Sequence, residues 1–462
     1  MTPAEWLSGE VAIIGIGRSG EAAARLLRSR DARVYASDAG DSPELQRTAE
    51  ELREVGVSVD VGRHDPERIA RASCLVLSPG VPPDAAPVVT AREHKVPVVS
   101  EVELALKFLP DLRYIAVTGT NGKSTVTALV AHLLNGLGIP TTPTGNIGAA
   151  VSGLALQSPP PEWAAIELSS FQLHDTPSIA PAVGILTNLA PDHLDRYASV
   201  EDYYADKALL FRNAASRSRW VANADDDAVR MMVRGIPGVV QRYSARGRLA
   251  DAFLDRRGGG GGGELIVLDA PLLPRKDLPL LGDHNVGNAL AASLAVMLAD
   301  SSFRNIKGRD RIAAALRTMA PLPHRLETVG IFNHVAYIDD SKATNVASAA
   351  VGIASMVRPT ILLLGGKHKG ESYVSLAASI RAHCRRVLAF GAAGRLIFTD
   401  LAKEVPMELL TGDFERVMDR ARQLAQPGDA VLLSPACSSF DMFKNYEERG
   451  QRFAELAEKS RR

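Results

Sequence analysis

The chain of 462 residues has three cysteines, Cys74, Cys384 and Cys437, far apart and with no CxxC pair. So few, so scattered, they give no basis for a disulfide framework or a cysteine-rich metal centre, and they fit a reducing compartment. Net charge is also missing, because 53 Lys and Arg balance 53 Asp and Glu. Without a basic bias, net charge gives no support to a nucleic acid or an anionic membrane as partner. The opening MTPAEWLSGEVAIIGIG lacks a basic stretch followed by an apolar one, so no secretory signal is expected. Apolar runs such as ILLLGG fall far short of the roughly 18–20 residues that cross a bilayer. A soluble, cytoplasmic protein is expected, with 46% apolar residues to bury real cores. At roughly 100–200 residues per domain, the length allows two to four domains.

What is present is alternation. EVAIIGIG and ARVYASD read as strands, GEAAARLLRSR between them has helical spacing, and ASCLVLSPG is another apolar run ending in turn residues. The pattern predicts a parallel α/β sheet. A helix in EVELALKFL, ended by Pro110, closes this first unit. RYIAVTGTNGKST opens a second, WAAIELSS and AVGILTNL continue it, and a long helix in GDHNVGNALAASLAVMLA ends it. A third begins near PLPHRLE, with strands expected in VAYIDD, TILLLGG, RVLAFG and AVLLSPA. The expected fold class is α/β, in three domains over residues 1–104, 105–320 and 321–462. Six consecutive glycines, Gly258–Gly263, read as a mobile hairpin tip in a small β region. No Lys-Ser/Thr follows them and no helix begins there, which argues against a phosphate site.

Two glycine loops carry chemistry. Gly119-Thr120-Asn121-Gly122-Lys123-Ser124-Thr125 lies between a strand and a helix. Backbone N–H groups converging at a helix N-terminus cradle phosphate, Lys123 would reach the terminal phosphates, and a Ser124 or Thr125 hydroxyl would sit on Mg²⁺. The second is Gly15-Ile16-Gly17-Arg18-Ser19-Gly20, again strand to helix, with Asp38 about 20 residues on. That is a dinucleotide fingerprint, but it recognises a diphosphate and a ribose, so NAD and UDP both fit it. Glu167 and His193 follow apolar runs, where an open α/β sheet presents ligands. Each could ligate Mg²⁺ or be an ordinary loop residue. Lys207 reads as a solvated helix lysine. His324-Arg325, the stretch Asp339–Asn345 (DDSKATN) and Gly365–Gly370 (GGKHKG) offer cationic and polar groups suited to phosphates and carboxylates. Cys437 has no partner histidine by spacing and is not expected to be a nucleophile.

Together GTNGKST, TGNIG, ELSSFQL, NLAPDHLDRY, GDHNVGN, PHRLE, DDSKATN, GGKHKG and LLSPACSSFDMFKNYEERG resemble the Mur ligase family. These are ATP-dependent amide ligases of peptidoglycan precursor synthesis, and the resemblance covers nearly the whole chain. DDSKATN and the two motifs after it are similar to those of the members that add D-glutamate. The resemblance implies a Rossmann-like domain for the uridine nucleotide of the substrate, a P-loop ATPase-like central domain and a Rossmann-like third domain. The expected substrates are UDP-N-acetylmuramoyl-L-alanine, D-glutamate and ATP, and the chain is expected to act as a monomer. By carry-over, Gly15, Arg18, Ser19, Asp38 and Ser78 lie near the uridine diphosphate. Asn146 and His193 lie near the sugar or its peptide arm. Gly119, Thr120, Asn121, Gly122, Lys123, Ser124, Thr125, Asn285, Asn288, Arg325 and Asp340 surround ATP.

The metal ligands implied are Ser124, Glu167 and His193. Lys207 matches a lysine that is carbamylated in many members and would help hold a second Mg²⁺; with Lys123 and His193 it makes up the implied catalytic set. Lys342, Thr344, Lys369, Ser439 and Tyr446 match residues around D-glutamate. Lys367 departs from the family, where a small acidic residue would be ordinary. The alternatives are a folylpolyglutamate synthase-like or other Mur ligase, an NAD-dependent oxidoreductase, and a non-catalytic nucleotide-binding regulator.

Overall fold

The computed structural model describes residues 3–192, 196–247, 249–257 and 262–461. The first sheet is built from β1 (Glu10–Ile14), β2 (Arg33–Asp38), β3 (Ser58–Val61), β4 (Cys74–Leu77) and β5 (Val98–Ser100). Their order is β3-β2-β1-β4-β5, with every pairing parallel. Alternate residues of these runs fill opposite faces. Val11, Ile13, Val34, Ala36, Cys74 and Val76 share one core, and Ala12, Ile14, Tyr35, Leu75 and Leu77 share another. A strand buried on both faces reads as a continuous apolar run, which is why EVAII and CLVL were legible. The helix Arg18–Arg28 turns Ala23, Ala24, Leu26 and Leu27 inward.

The second sheet comprises β6 (Arg113–Thr118), β7 (Pro143–Gly145), β8 (Trp163–Glu167), β9 (Val183–Leu186), β10 (Arg219–Asn223), β11 (Val239–Ser244), β12 (Ala252–Asp255), β13 (Glu264–Val267) and β14 (Ala270–Pro274). Among the described residues its order is β14-β13-β12-β11-β10-β9-β6-β8-β7. It is parallel from β7 to β12 and ends in antiparallel pairs at β12–β13 and β13–β14. Asp255 stands opposite Glu264, so the glycine run lies in the connection of a hairpin, as expected. The expected mobility of its tip falls on Gly258–Gly261, outside the described residues. The helices Lys123–Gly136 and Asp283–Ala299 follow the expected patterns.

The third sheet holds β15 (Glu327–Phe332), β16 (Val335–Asp339), β17 (Thr360–Gly365), β18 (Cys384–Phe390), β19 (Met407–Leu409) and β20 (Ala430–Leu433), in the order β15-β16-β20-β17-β18-β19. It is parallel except at the β15–β16 edge. The fold class is thus α/β, as the alternation implied. The chain packs as two compact units: one carries the first two sheets, the other carries residues 318–462 with Leu278–Val286 and Asp192. The helix Glu101–Phe108 runs across the boundary expected after residue 104. None of the described helices is long and apolar enough to cross a membrane.

That helix brings a buried acid into the first unit. Glu101 is 1% exposed, its Oε1 accepts the Ser152 amide at 2.5 Å, and its Oε2 has no hydrogen-bond partner. Burial lifts its carboxyl from an ordinary 4.5 to about 7. A carboxyl raised on folding stabilises fully below its unfolded value, and that contribution is lost as pH rises through about 7. Glu101→Gln is expected to flatten the fall in thermal midpoint between pH 4.5 and about pH 7. An unchanged slope would assign the pH dependence to other groups.

Candidate active site

The parallel register sets the carboxyl ends of three strands side by side: Val117 of β6 lies against Glu167 of β8, and Thr118 against Leu186 of β9. The glycine loop leaves β6 at this edge. Gly119 has φ +141° and Gly122 has φ +80°, conformations that side chains rarely adopt. Gly122 caps the helix Lys123–Gly136, whose first N–H groups have no partner within the helix. The loop is clamped from β9's continuation. Thr187 Oγ1 and Asn188 Nδ2 donate to the Asn121 carbonyl at 2.7 and 2.8 Å, and Asn188 Oδ1 accepts the Asn121 amide at 2.9 Å. The Thr120 amide donates to the Asn188 carbonyl at 2.8 Å. Lys123 Nζ donates to the Thr120 carbonyl at 2.8 Å, which keeps its charge at the loop. Ser124 and Thr125 are buried in the helix's first turn.

Lys207 corrects the solvated reading. It is 1% exposed, its Nζ donates to the Gly119 carbonyl at 2.7 Å and lies 4.6 Å from the centre of the Tyr203 ring. The helical spacing of YYADKALLF gave no sign of this, because the buried surface is another segment's backbone.

Glu167 is also buried, at 1% exposure. Its Oε1 accepts from Asn146 Nδ2 at 2.9 Å, while its Oε2 has no hydrogen-bond partner. A bare buried carboxylate oxygen costs several kcal/mol unless a cation or donor meets it. That oxygen fits a hard divalent cation, which prefers oxygen ligands. His193 lies outside the described residues.

Asn146 joins this edge to a cleft of about 570 Å³ on the first sheet. Gly15, Arg18, Ser19, Asp38, Ser78 and Asn146 all line it, so the structure brings together every described residue of the expected uridine-nucleotide set. Gly15 has φ +84°, and a Cβ on Gly20 would stand 1.8 Å from the Gly15 carbonyl oxygen, so the turn requires both glycines. Ser78 Oγ donates to the Gly15 carbonyl at 2.7 Å. Asp38 accepts the amides of Ile16 and Gly40 at 3.0 and 2.9 Å. His64 also lines the cleft; no motif had pointed to it.

Asn288 sits beside the glycine loop, with Oδ1 2.8 Å from where a Cβ on Gly122 would lie. Asn285, earlier on the same helix, donates to the Leu281 carbonyl at 2.8 Å. In the second unit, Asp340 is buried and accepts from Ser434 Oγ at 2.7 Å, and burial lifts its carboxyl to about 7. Arg325 is close enough to draw that carboxyl back down. Lys342 Nζ lies 3.5 Å from the centre of the Tyr446 ring. Lys367 and Ser438 exchange backbone hydrogen bonds at 2.8 and 3.1 Å. This sets the loop of Lys369 beside the loop of buried Ser439. Thr344 is half-buried in DDSKATN. His324, Glu327 and Asp339 cluster closely enough to suggest a metal site. They already bond one another, His324 Nδ1 to Asp339 at 2.6 Å and the His324 amide to Glu327 at 2.8 Å. Cys437 is buried 3.0 Å from the Tyr373 hydroxyl, and burial pushes its thiol up to about 11, in keeping with a non-nucleophilic role.

Three family models match in sequence: Mur ligase MurD-like N-terminal domain over residues 9–100, Mur ligase middle domain over 117–296, and Mur ligase glutamate ligase domain over 324–437. The chain belongs to the Mur ligase family, the ATP-dependent ligases of peptidoglycan precursor synthesis. It is 37% identical to the UDP-N-acetylmuramoylalanine–D-glutamate ligase of Acidobacterium capsulatum, over 97% of this chain and 95% of that one. It is 38% identical to the ligase of the same name from Rubrobacter xylanophilus, over 96% and 97% of the two chains. Among solved structures, the MurF ligase of Thermotoga maritima in complex with ADP shares the fold, with a TM-score of 0.64 at 16% identity over 100% of this Mur ligase and 99% of that chain.

A Cβ on residue 119 would stand 2.0 Å from Thr187 Oγ1, in a backbone region that alanine avoids. Gly119→Ala is expected to destabilise the first unit by about 1–3 kcal/mol and to weaken ATP binding in a calorimetric titration. An ATP affinity equal to that of the unaltered protein would show that the loop's conformation is not what binds phosphate.

Proposed function

We propose that this Mur ligase joins D-glutamate to the carboxylate of UDP-N-acetylmuramoyl-L-alanine, with ATP split to ADP and phosphate. The observation that carries this reading is the Asn146–Glu167 hydrogen bond. It ties the far wall of the nucleotide cleft to the carboxylate beside the phosphate loop. A ligand with its diphosphate near Arg18 and Ser19 would then extend its acyl end toward the γ-phosphate of ATP. The names of the full-length relatives support the choice of D-glutamate.

A carboxylate is a poor acyl donor because its leaving group would be oxide. In the proposed reaction a carboxylate oxygen attacks the γ-phosphorus, the bond to the β-phosphate oxygen breaks, and ADP leaves. The D-glutamate ammonium first gives up a proton, and the neutral amine then attacks the acyl-phosphate carbon. The tetrahedral intermediate collapses, phosphate departs with the C–O electron pair, and the amine loses a proton. Phosphoryl transfer of this kind depends on positioning and charge neutralisation. The amides of the glycine loop and the Lys123 ammonium would hold the transferred phosphoryl group. Mg²⁺, held by Ser124, Glu167 and His193, with a second ion on carbamylated Lys207, would supply further neutralisation at the phosphates. Carbamylation adds CO₂ to the neutral Lys207 amine with loss of a proton, and so replaces a buried cation by an anion. Lys342, Lys369, Thr344 and Ser439 would hold the carboxylates of D-glutamate, with Tyr446 packed against Lys342.

The test is phosphate release from ATP with purified protein and Mg²⁺. Release that requires both UDP-N-acetylmuramoyl-L-alanine and D-glutamate, with L-glutamate and D-alanine inactive, is expected. Release with a different amino acid would move the specificity, and none with any pair would overturn the reading. Lys369→Ala is expected to raise the apparent KM for D-glutamate at least about tenfold, the order of a lost charge-assisted hydrogen bond, and to change that for ATP little. Equal changes in both would remove Lys369 from that role.

A further inference from the structure

The nucleotide cleft contains a polar side chain that the proposed reaction leaves without a task. His64 follows β3 and lines the cleft with Arg18, Ser19 and Asp38. Its Nδ1 is 2.8 Å from Ser37 Oγ, and Ser37 is fully buried near the end of β2. The ring is therefore anchored from behind, at its Nδ1 side. Burial holds its pKa below the ordinary 6.5, against the opposing pull of the Asp38 and Asp60 carboxylates. At neutral pH it is an uncharged imidazole, with one N–H and one lone pair. With Nδ1 engaged, Nε2 is the ring atom that remains to meet a ligand.

Its place in the sheet says which part of the ligand. In an open parallel sheet the diphosphate sits at the turn after the first strand, and the nucleoside extends past the end of the second. Arg18 and Ser19 stand at that turn. His64 stands past the second strand, bonded to its residue Ser37. Asp38, the residue expected at the ribose, directs both oxygens at the amides of Ile16 and Gly40. One lone pair of each oxygen thus shapes the loop.

We infer that His64 is a specificity-determining residue, which recognises the uridine half of the nucleotide substrate through a hydrogen bond at Nε2. The inference rests on the uridine-nucleotide reading of the cleft. It is tested by calorimetric titration of UDP, inorganic diphosphate and ATP onto the full chain. His64→Ala is expected to weaken UDP about three- to tenfold, the size of one hydrogen bond, and to leave inorganic diphosphate and ATP unchanged. The KM for the UDP-linked substrate should rise to match, with kcat nearly constant. His64→Gln, whose amide reaches the Nε2 position, should retain most of the affinity. His64→Asn, whose amide reaches only the Nδ1 position, should not.

Equal UDP affinity in the unaltered protein and His64→Ala would overturn the inference. So would a loss shared by inorganic diphosphate, which would put the ring at the phosphates. Equal weakening by all three variants, with a lowered thermal midpoint, would reduce His64 to packing. If the unaltered protein bound no UDP, the uridine reading of the cleft would fall first, and that result is separate from the others.

Discussion

A phosphate site made of backbone must be held in shape by something other than the phosphate. Here the constraint falls on Gly119 to Asn121. Their carbonyls point at Lys207, Thr187, Asn188 and Lys123, which all donate to them. These donors fix the loop's backbone up to the point where Gly122 starts the helix Lys123–Gly136. The clamp works only because β6 lies between β8 and β9 in parallel register. The same register delivers Glu167 to the loop and, through Asn146, the wall of the nucleotide cleft. The two pairings of β6 thus position the loop, the candidate metal ligand and, through Asn146, the wall of the cleft.

The fold was readable because its strands are buried on both faces. Continuous apolar runs such as VAIIG, WAAI and ILLL are what a doubly covered parallel sheet requires. Glycine loops were readable because a left-handed or crowded backbone admits few other residues, as at Gly15 and Gly119. Spacing did not reveal contacts between distant segments. Lys207 looked like a surface lysine because a helix shows its own periodicity and not what covers it. His64 was invisible because a lone histidine after a weak strand has no pattern. Thr187 and Asn188 were seen as part of a conspicuous stretch, but their clamp on Asn121 needs the register of β9.

Buried charge separates the parts of the site that hold shape from those that hold ligands. A buried ionic group must be paired or must change its protonation. Asp38, half-buried, has each carboxylate oxygen bonded to an amide, and buried Asp340 has Ser434 and an upward shift toward the neutral acid. Both can therefore shape the protein without a ligand present. Glu167 leaves one buried oxygen bare, at the strand edge from which the glycine loop leaves. That asymmetry is the physical ground for proposing a cation at Glu167 and not at the His324–Asp339 pair, where the ring Nδ1 and a carboxylate oxygen already bond each other.

Arg449 applies the same logic to the third sheet. It is fully buried, and burial lowers its pKa to about 10, still a cation at neutral pH. Its guanidinium donates to Ser341 Oγ, to the Ser341 carbonyl and to the carbonyls of Cys437 and Ser438, at 2.8–3.3 Å. One planar fork thus ties DDSKATN to SPACSSF, the two stretches that carry Lys342, Thr344 and Ser439. A lysine could supply the charge but not four bonds diverging in a plane. Lys342 and Thr344 on one side and Ser439 on the other therefore take their spacing from a buried arginine that bonds both stretches.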